Sequence, residues 1–477
     1  MREANIQAFS RDESACEDDT DITVLRRTTE KTAQWCVERA KALGASSASA
    51  EASFDRGLSA STRMCEPESI ERTEESVLVV NVWKGAQRGT ASTSDLSEAS
   101  LERTVRAAVQ IASHAKPDPA GGLPDEADLA TEFPDLSLYH PFAGTPEEAF
   151  RQLERTEAAA LAADARITNT EGARFDTSAG VFTLANSLGF CAGYAYGRHS
   201  IDCWPIAQSS EGESQRDGWW CEARALEDLM SPEALGALAA QRAVRRLDAG
   251  AVSPGRYNVL FEPQAAVGLL DILEALLSGS ALYRKASCLG DKFGERILPE
   301  HVSVEENPFV VRAIGSGAFD DEGCAGRRRL IVDSGRLEGR FLSSYSARKL
   351  GLRTTGNAGG AYNLTLSSSQ TRASDDFTAM LKKLDRGILV TELIGQGFNP
   401  VTGDYSRGAF GFWVENGRID HAIEGFSIAG NILEMMMQLE AVGADRLTAS
   451  ERSCGSLLFS DLCAAGVDFD DEAAADE

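Results

Sequence analysis

The sequence predicts an α+β protein with two globular domains, of which the second is β-rich. Its 477 residues are more than one compact hydrophobic core usually accommodates. Hydrophobic residues make up 43% of the chain and charged residues 25%, so there is enough apolar surface to offset the entropy of ordering the backbone. Helical periodicity is frequent in the first half, and strand patterns separated by tight turns dominate the second.

The domain boundaries follow from composition. Residues 1–22 and 467–477 are acidic and poor in large apolar side chains, so we expect both ends to be disordered. A stretch rich in small residues at 248–255 separates the two domains. The prediction is therefore an N-terminal α+β domain over 23–248 and a C-terminal β-rich domain over 255–466.

Helix signals and strand patterns alternate in the first domain. Thr145, Pro146 and Glu148 form a capping box with proline at the first helical position, which predicts a helix start. Gly44 is a plausible helix C-cap. In chain order, the predicted elements are a helix over 25–43, strands over 48–64 and 76–92, a helix opening at Asp95, a helix over 146–164, strands within 174–222, and a helix from Ser231 to Leu247.

In the second domain, a buried strand is predicted over Tyr257–Phe261, followed by a helix that Pro263 opens. The leucines of this helix cover more than one face, which is typical of a core element. Asp333-Ser334-Gly335 and Glu415-Asn416-Gly417 lie between apolar runs and predict hairpin turns, the second being of type I′.

Net charge and cysteine pattern limit the possible partners. At a formal net charge of -26, the chain would on average be repelled by nucleic acid and by anionic membranes, and we expect it to bind neither. The ten cysteines include no C-x-x-C pair, and the N-terminus lacks a basic segment followed by an apolar one. These features predict a soluble protein of the reducing cytoplasm.

The residues alone reveal no catalytic constellation. The chain has five histidines, and no two of them are three to five residues apart as helical metal pairs require. There is no G-x-S-x-G nucleophile elbow. The glycine clusters at 356–360 and 395–397 favour tight turns over a phosphate cradle, and Cys454 is better explained as a small buried hydrophobe than as a reactive thiolate.

Several segments carry a family resemblance. They are Tyr283-Arg284-Lys285, SYSARKLGLRTTGNAGG over 344–360, VTELIGQG over 390–397, TGDYSRG over 402–408 and GFWVENG over 411–417, with RITNTEG over 166–172 and IAGN over 428–431. Together these segments resemble the PmbA (TldE) branch of the TldD/PmbA metallopeptidase family. The resemblance implies an N-terminal α/β sandwich-like domain and a C-terminal domain of β-sheets with a buried helix.

The catalytic TldD branch of this family carries H-E-x-x-x-H on a helix, with a later cysteine as a third zinc ligand. The segment here that resembles it begins at Gln264, so the two histidine positions hold Gln264 and Leu269, and the glutamate position holds Ala265. Cys454 is similar to the third ligand. The resemblance therefore implies a chain without its own catalytic residues, metal site or cofactor.

By the same resemblance, the expected partner is a TldD-like subunit that holds zinc, and the expected substrate is an unfolded peptide that enters an internal cavity as an extended strand. The assembly would mature or degrade peptides, and a homodimer is a further expectation for the chain alone. The residues expected at the chamber wall or the subunit interface are Tyr283, Arg284, Gly356, Asn357, Gly359, Gly360, Asp404 and Arg407.

Two alternatives remain open at this point. The first is a self-standing metallopeptidase with unconventional ligands such as Cys454, Asp404 and His421. The second is a non-enzymatic regulatory protein, since the family has also been described as a modulator of DNA gyrase, with acidic ends that could imitate nucleic acid.

Overall fold

The computed structural model describes residues 22–447 and 451–466 of the chain. Except for Ile22, the acidic ends predicted to be disordered lie outside the described residues. Between them the protein is of the α+β class, as the sequence predicted. No helix in the described ranges is both long and apolar enough to cross a membrane.

The first half of the chain builds one seven-stranded sheet and four helices. The sheet has the order β3-β2-β1-β4-β5-β6, with β7 paired to β5, and its strands are antiparallel. Its elements are α1 (Ile22–Ala42), β1 (Ser47–Arg63), β2 (Glu66–Lys84), β3 (Gln87–Thr93), α2 (Glu98–His114), α3 (Pro146–Ala163), β4 (Ile167–Asn186), β5 (Cys191–Gln208), β6 (Ser214–Arg216), β7 (Trp219–Ala223) and α4 (Pro232–Val244).

All four helices cover the same face of this sheet. On β1, the buried alanines Ala48, Ala50, Ala52 and Ala60 occupy alternate positions, so they share one face. The first three belong to the core under α1 and α2, and Ala60 belongs to the core under α3 and α4. The opposite face is polar and turns toward the C-terminal half of the chain.

The second half forms a closed barrel and a smaller sheet. In the barrel, strands follow the order β15-β14-β13-β8-β18, and β15 also pairs with β18, which closes it; β16 pairs with β18 outside the ring. The elements are β8 (Gly255–Phe261), α5 (Pro263–Ala266), α6 (Gly268–Leu277), α7 (Gly279–Tyr283), β9 (Val302–Asn307), β10 (Arg329–Asp333), β11 (Arg336–Leu337), α8 (Ser344–Leu350), β12 (Asn363–Ser368), α9 (Phe377–Leu384), β13 (Gly387–Ile394), β14 (Asp404–Glu415), β15 (Arg418–Asn431), α10 (Ile432–Met437), β16 (Leu439–Val442), β17 (Arg452–Ser453) and β18 (Leu457–Ala465).

An aromatic cluster joins the two halves. Phe319, from the C-terminal half, lies with its ring centroid 5.7 Å from Tyr194 and 6.4 Å from Phe182, which both lie on the open face of the first sheet. Phe190 approaches the same ring edge-on at 5.3 Å. Offset and edge-to-face contacts of this kind stabilise a contact beyond the area they bury, so the C-terminal half is anchored on one end of the polar face.

Local sequence signals placed several elements correctly. The capping box at Thr145 forms: its hydroxyl accepts from the Glu148 N–H at 3.4 Å, and its own N–H donates to Glu148 Oε2 at 2.9 Å. Asn416 and Gly417 have φ of +53° and +67°, as the predicted type I′ turn requires.

Three local predictions were wrong. The strand expected over 76–92 is a hairpin: β2 runs from Glu66 to Lys84, the chain turns at Gly85 with φ +60°, and β3 follows. The helix expected to open at Asp95 begins instead at Glu98. The Asp95 Oδ1 atom accepts from the Ser97 N–H at 2.9 Å, so this side chain forms a local turn before the helix and does not cap it. The core helix after Pro263 is also divided, at Val267.

Candidate functional site

The helix that resembles the zinc motif begins where β8 leaves the barrel. Its first turn is α5, and α6 continues after the break at Val267. The Val267 N–H still donates to the Pro263 carbonyl at 3.1 Å, so the two pieces share nearly one axis. Four leucines of α6 are buried in the main C-terminal core: Leu270, Leu273, Leu276 and Leu277. The prediction of a buried helix is confirmed.

The substituted motif positions line an apolar cleft. Ala265 and Leu269 are partly buried, pack against the C-terminal core, and form part of a narrow cleft with a cavity volume of about 30 Å³. Arg407 supplies a cationic group to the same cleft, and most of the remaining lining is aliphatic or aromatic. Gln264 holds the first histidine position, and its Oε1 is buried without a hydrogen-bond partner in the described part of the chain. An amide, a methyl and an isobutyl group provide no imidazole ligand and no general base.

Cys454 is a packing residue. Its side chain has no exposed surface and belongs to the same hydrophobic core as α6. Burial raises the pKa of its thiol to about 12. A thiol must lose its proton to bind zinc, and neither histidine position beside it carries an imidazole. The residues at this site therefore do not fit a catalytic zinc ion.

The unconventional ligand set does not assemble. Asp404 starts β14 and pairs across the hairpin with Asn431, whereas His421 pairs with Trp413 near the other end. Trp413 lies nine positions after Asp404 along β14, which corresponds to roughly 30 Å at the rise of a strand. Because the three proposed ligands cannot share one ion, the self-standing metallopeptidase that used them is contradicted.

One group of potential ligands was not foreseen from the sequence. Asp320, Glu322 and Cys324 bring their ligand atoms within 4.8 Å of one another, the only such set of three in the described ranges. Asp320 already accepts the N–H groups of Glu322 at 2.9 Å, Cys324 at 2.8 Å and Ala358 at 2.9 Å. Glu322 likewise accepts from the Ser344 N–H at 2.7 Å. These bonds fix a turn, and the group is explained without a metal.

The glycine run that we expected at a chamber wall, residues 356–360, is fixed by hydrogen bonds of the buried Asn357 side chain. Asn357 is 5% exposed and donates through Nδ2 to Glu306 Oε1 at 2.6 Å, while its Oδ1 accepts from Arg329 Nη2 at 2.8 Å. A Cβ on Gly356 would lie 2.4 Å from the Ala325 carbonyl oxygen. The side chain of Asn357 therefore shapes this segment and does not face a ligand.

Two further glycines of this run approach carboxylates. A Cβ on Gly359 would come within 2.9 Å of Asp321 Oδ1, and a Cβ on Gly360 within 2.9 Å of Glu274 Oε1. Glu274 lies on α6 and accepts from the Ala361 N–H at 2.7 Å. The glycine run therefore contacts the substituted motif helix directly, through Glu274.

The other expected wall or interface residues lie on accessible surfaces. The Tyr283 ring meets Tyr345 edge-on at 5.9 Å, and the Arg284 guanidinium lies 5.6 Å from the centre of the Tyr283 ring. Asp404 is exposed and accepts from Thr402 Oγ1 at 2.6 Å. Arg407 donates to the Leu393 carbonyl at 3.2 Å from inside the cleft. Their role toward a partner or a peptide stays a prediction.

A cluster of arginines and carboxylates fixes the entry to the motif helix. Arg242, on α4 of the first half, donates to Glu262 Oε2 at 2.8 Å and lies 3.4 Å from Asp217. Glu262 immediately precedes Pro263, so this pair sets where α5 begins. Arg246 pairs with Glu392 on β13 at 2.6 Å. This cluster could not be predicted from the sequence, because its members come from separate elements of the chain and belong to no motif.

The chain matches three models of one family. They are PmbA/TldA metallopeptidase domain 1 over 50–112, the central domain over 139–247 and the C-terminal domain over 254–466. It is 42% identical to metalloprotease PmbA of Escherichia coli O157:H7 over 410 residues, which cover 86% of this chain and 90% of the relative. It is 38% identical to the metalloprotease PmbA homolog of Haemophilus influenzae over 432 residues, covering 91% and 95%.

Solved structures show the same fold. A Bacteroides thetaiotaomicron protein described as a candidate modulator of DNA gyrase superposes with a TM-score of 0.86 at 26% identity, covering 92% of this chain and 99% of that one. TldE of Thermococcus kodakarensis gives a TM-score of 0.80 at 19% identity, covering 91% and 99%, which is evidence for the fold alone.

The chain therefore belongs to the PmbA/TldD metallopeptidase family. Within that family it belongs to the PmbA branch, because the relatives with which it shares 42% and 38% identity over most of its length are PmbA proteins. The resemblance that the sequence motifs suggested is confirmed.

Proposed function

We propose that this chain is the non-catalytic subunit of a two-chain zinc metallopeptidase that matures or degrades unfolded peptides. A TldD-like partner would hold the zinc ion and the general base. The observation that carries this proposal is the replacement of the motif residues by Gln264, Ala265 and Leu269, of which Ala265 and Leu269 line an apolar cleft. Without an imidazole or carboxylate at these positions, this chain has no group there to bind the metal or accept a proton from water.

Apolar surface close to the cleft supports association with a partner. Leu393 lines the cleft, and the next residue, Ile394, is 53% exposed at the end of β13. Met437 follows the cleft residue Met436 and is 44% exposed. Large apolar side chains that stay exposed around a concave surface are typical of protein interfaces, and their burial against a second chain would be favourable.

These features suggest a separate role for each of the two chains. The TldD-like chain would supply zinc and the proton acceptor, whereas this chain would contribute the opposite wall of the chamber and limit access to extended peptides. The cytoplasm is the proposed compartment, since the nine described cysteines are free thiols. Self-association through the same apolar surface would give the homodimer when no partner is present.

The decisive experiment combines the purified chain with a TldD-like chain and measures hydrolysis of an unfolded peptide with and without a chelator. We expect the mixture to elute as one complex and to hydrolyse the peptide faster than the TldD-like chain alone, in a zinc-dependent manner. Metal analysis of this chain by itself should find well under one zinc per chain. If the two chains neither associate nor alter the rate, the proposal is wrong.

A pair of matched variants tests the interface. Ile394→Asp places a charge at the cleft mouth and should weaken the complex. Val311→Asp introduces the same charge at a side chain that is 60% exposed, in the loop after β9, and should leave the complex unchanged. Equal effects of the two substitutions would show that the apolar surface near the cleft is not the interface.

A further inference from the structure

A polar pocket of about 520 Å³ lies between the open face of the first sheet and the C-terminal half. We call it the interdomain pocket. Glu51, Trp83 and Arg88 reach it from β1, β2 and β3, and Asp321 reaches it from the loop that the glycine run packs against. It is separate from the cleft of the substituted motif, with which it shares no lining residue.

Two carboxylates in the interdomain pocket form no ion pair with a described arginine or lysine. Glu51 has one weak contact, from Asn81 Nδ2 at 3.5 Å, and no arginine or lysine forms an ion pair with it in the described part of the chain. Asp321 has neither a hydrogen bond nor an ion pair with any described residue. Burial, and then the negative charge of Asp321, raise the pKa of Glu51 to about 7, and the charge of Arg88 offsets only part of this rise. A cationic group placed between these carboxylates would relieve both effects.

The other two acids of the pocket, Asp118 and Glu322, each accept hydrogen bonds from protein groups. Asp118 accepts from Lys349 Nζ and from the Tyr345 hydroxyl, both at 2.8 Å. Glu322 accepts from the Ser344 N–H at 2.7 Å. The pocket therefore contains satisfied carboxylates that maintain its walls and two unsatisfied ones that remain available to a ligand.

Two donor groups of the same pocket are not fully paired with described acceptors. Arg88 donates to Asn81 Oδ1 at 2.7 Å and stacks on the Trp83 ring, but it forms no ion pair with a described carboxylate. Trp83 is 6% exposed, and its Nε1–H has no acceptor among the described residues. A Cβ on Gly121, another lining residue, would lie 3.7 Å from this nitrogen, which places the N–H at the pocket wall. A buried donor without an acceptor is costly, so a ligand oxygen would be favourable here.

We propose that the interdomain pocket binds the N-terminal residue of a peptide, with Glu51 and Asp321 accepting from its α-ammonium group and Arg88 donating to its first carbonyl oxygen. An ammonium group offers three donors, which two carboxylates can share. In a peptide, the first carbonyl group is attached to the same α-carbon as the ammonium group, so an acceptor lies close to the cation. A lysine side chain has no acceptor near its ammonium group. The choice of a peptide as the source of the ammonium rests on the proposed function; the preference for a cation beside an acceptor does not.

The test is calorimetric titration of the full chain with tetraalanine amide, with the same peptide acetylated at its N-terminus, and with an acetylated peptide that contains one lysine. We expect the free N-terminus to bind at least about tenfold more tightly than either acetylated peptide, because charge-assisted hydrogen bonds would be lost. Glu51→Gln and Asp321→Asn should each weaken binding by a similar factor. Glu74→Gln, which neutralises an exposed acid on β2 outside the pocket, is the matched control and should not change it.

Three results would overturn the inference: equal affinity for the acetylated peptide, equal affinity for the lysine peptide, or tight binding of Mn²⁺ that depends on Glu51 and Asp321 while no peptide binds. Thermal unfolding of each variant checks that the fold is retained. If no peptide binds but the chain still accelerates hydrolysis by a TldD-like partner, the pocket inference fails and the proposed function stands. If the peptide with a free N-terminus binds but the chain does not accelerate hydrolysis by a TldD-like partner, the pocket inference stands and the proposed function fails.

Discussion

Replacing Arg242 by methionine should strongly destabilise the junction between the first half of the chain and the motif helix. The side chain of Arg242 is 5% exposed and pairs with Glu262 and Asp217, whose side chains are 14% and 11% exposed. Methionine keeps much of the volume but removes the charge, so both carboxylates would lose a partner in a site with little water. Removal of one partner from a buried ion pair costs about 3–5 kcal/mol.

The local arrangement places the expected cost at the lower end of that range. Glu262 keeps a contact with Arg245 at 3.4 Å, and Asp217 keeps one with Arg246 at 3.6 Å. We therefore expect Arg242→Met to lower the free energy of unfolding by about 3 kcal/mol. Adding Glu262→Gln to this variant should recover part of the loss, because one of the unpaired carboxylates becomes neutral.

Urea unfolding followed by tryptophan fluorescence measures this effect as a shift of the first transition. The matched control is Arg155→Met: Arg155 pairs with Glu233 at 2.7 Å between α3 and α4, but these side chains are 57% and 54% exposed. Solvent screens an exposed ion pair of this kind, so the control should move the transition little. If the two methionine variants behave alike, the buried cluster does not stabilise the junction in the way that its geometry indicates.

Two further predictions concern the glycine run and the buried thiol. Gly356→Ala should destabilise the protein by more than about 2 kcal/mol in urea unfolding, because its Cβ would clash with the Ala325 carbonyl, whereas Gly351→Ala, with φ +68° and no atom within 4 Å, should cost roughly 1 kcal/mol; equal losses would refute the steric argument. Burial raises the pKa of the Cys454 thiol from 9.0 to about 12, so between these values the folded chain keeps a proton that the unfolded chain releases, and stability should fall as the pH rises through that range, an effect that Cys454→Ala should reduce. Peptide mapping after alkylation at pH 8 should find Cys454 unmodified and the half-buried Cys463 modified; alkylation of native Cys454 would contradict the buried position.

Features decided by local contacts could be predicted from the sequence. The helix at Pro146 depends on a cap within four residues, and the turn at Asn416 depends on two residues that tolerate positive φ. The first half of β2 could not be found in this way, since residues 66–75 are mostly charged and show no apolar alternation. These residues form a strand because they pair with β1, where Arg56 lies opposite Glu74 and Arg63 opposite Glu66. Such pairing is set by the sheet and not by the segment itself.

In the candidate site, too, some features could be predicted from local sequence and others depended on the fold. That Gln264, Ala265 and Leu269 do not offer an imidazole or a carboxylate was evident from the sequence, but the position of Ala265 and Leu269 in an apolar cleft required the fold. The interdomain pocket had no sequence signal, because Glu51 and Asp321 are separated by most of the chain and neither belongs to a recognisable motif. Only the docking of the C-terminal half on the first sheet brings them together.

The composition of the cleft gives a physical reason why the motif residues changed together. Histidine and glutamate side chains in a buried cleft are satisfied when a metal ion and its ligands are present, but without the metal each would leave a polar group without a partner, at about 1–3 kcal/mol per group. In the absence of zinc, a chain is therefore more stable with the methyl group of Ala265 and the isobutyl group of Leu269, which pack against the core. Gln264 retains one unpaired buried oxygen, so it is the position where this replacement is incomplete. It follows that restoring a single histidine at Leu269 should destabilise the chain without restoring metal binding, whereas zinc could offset that cost only if the whole ligand set returned.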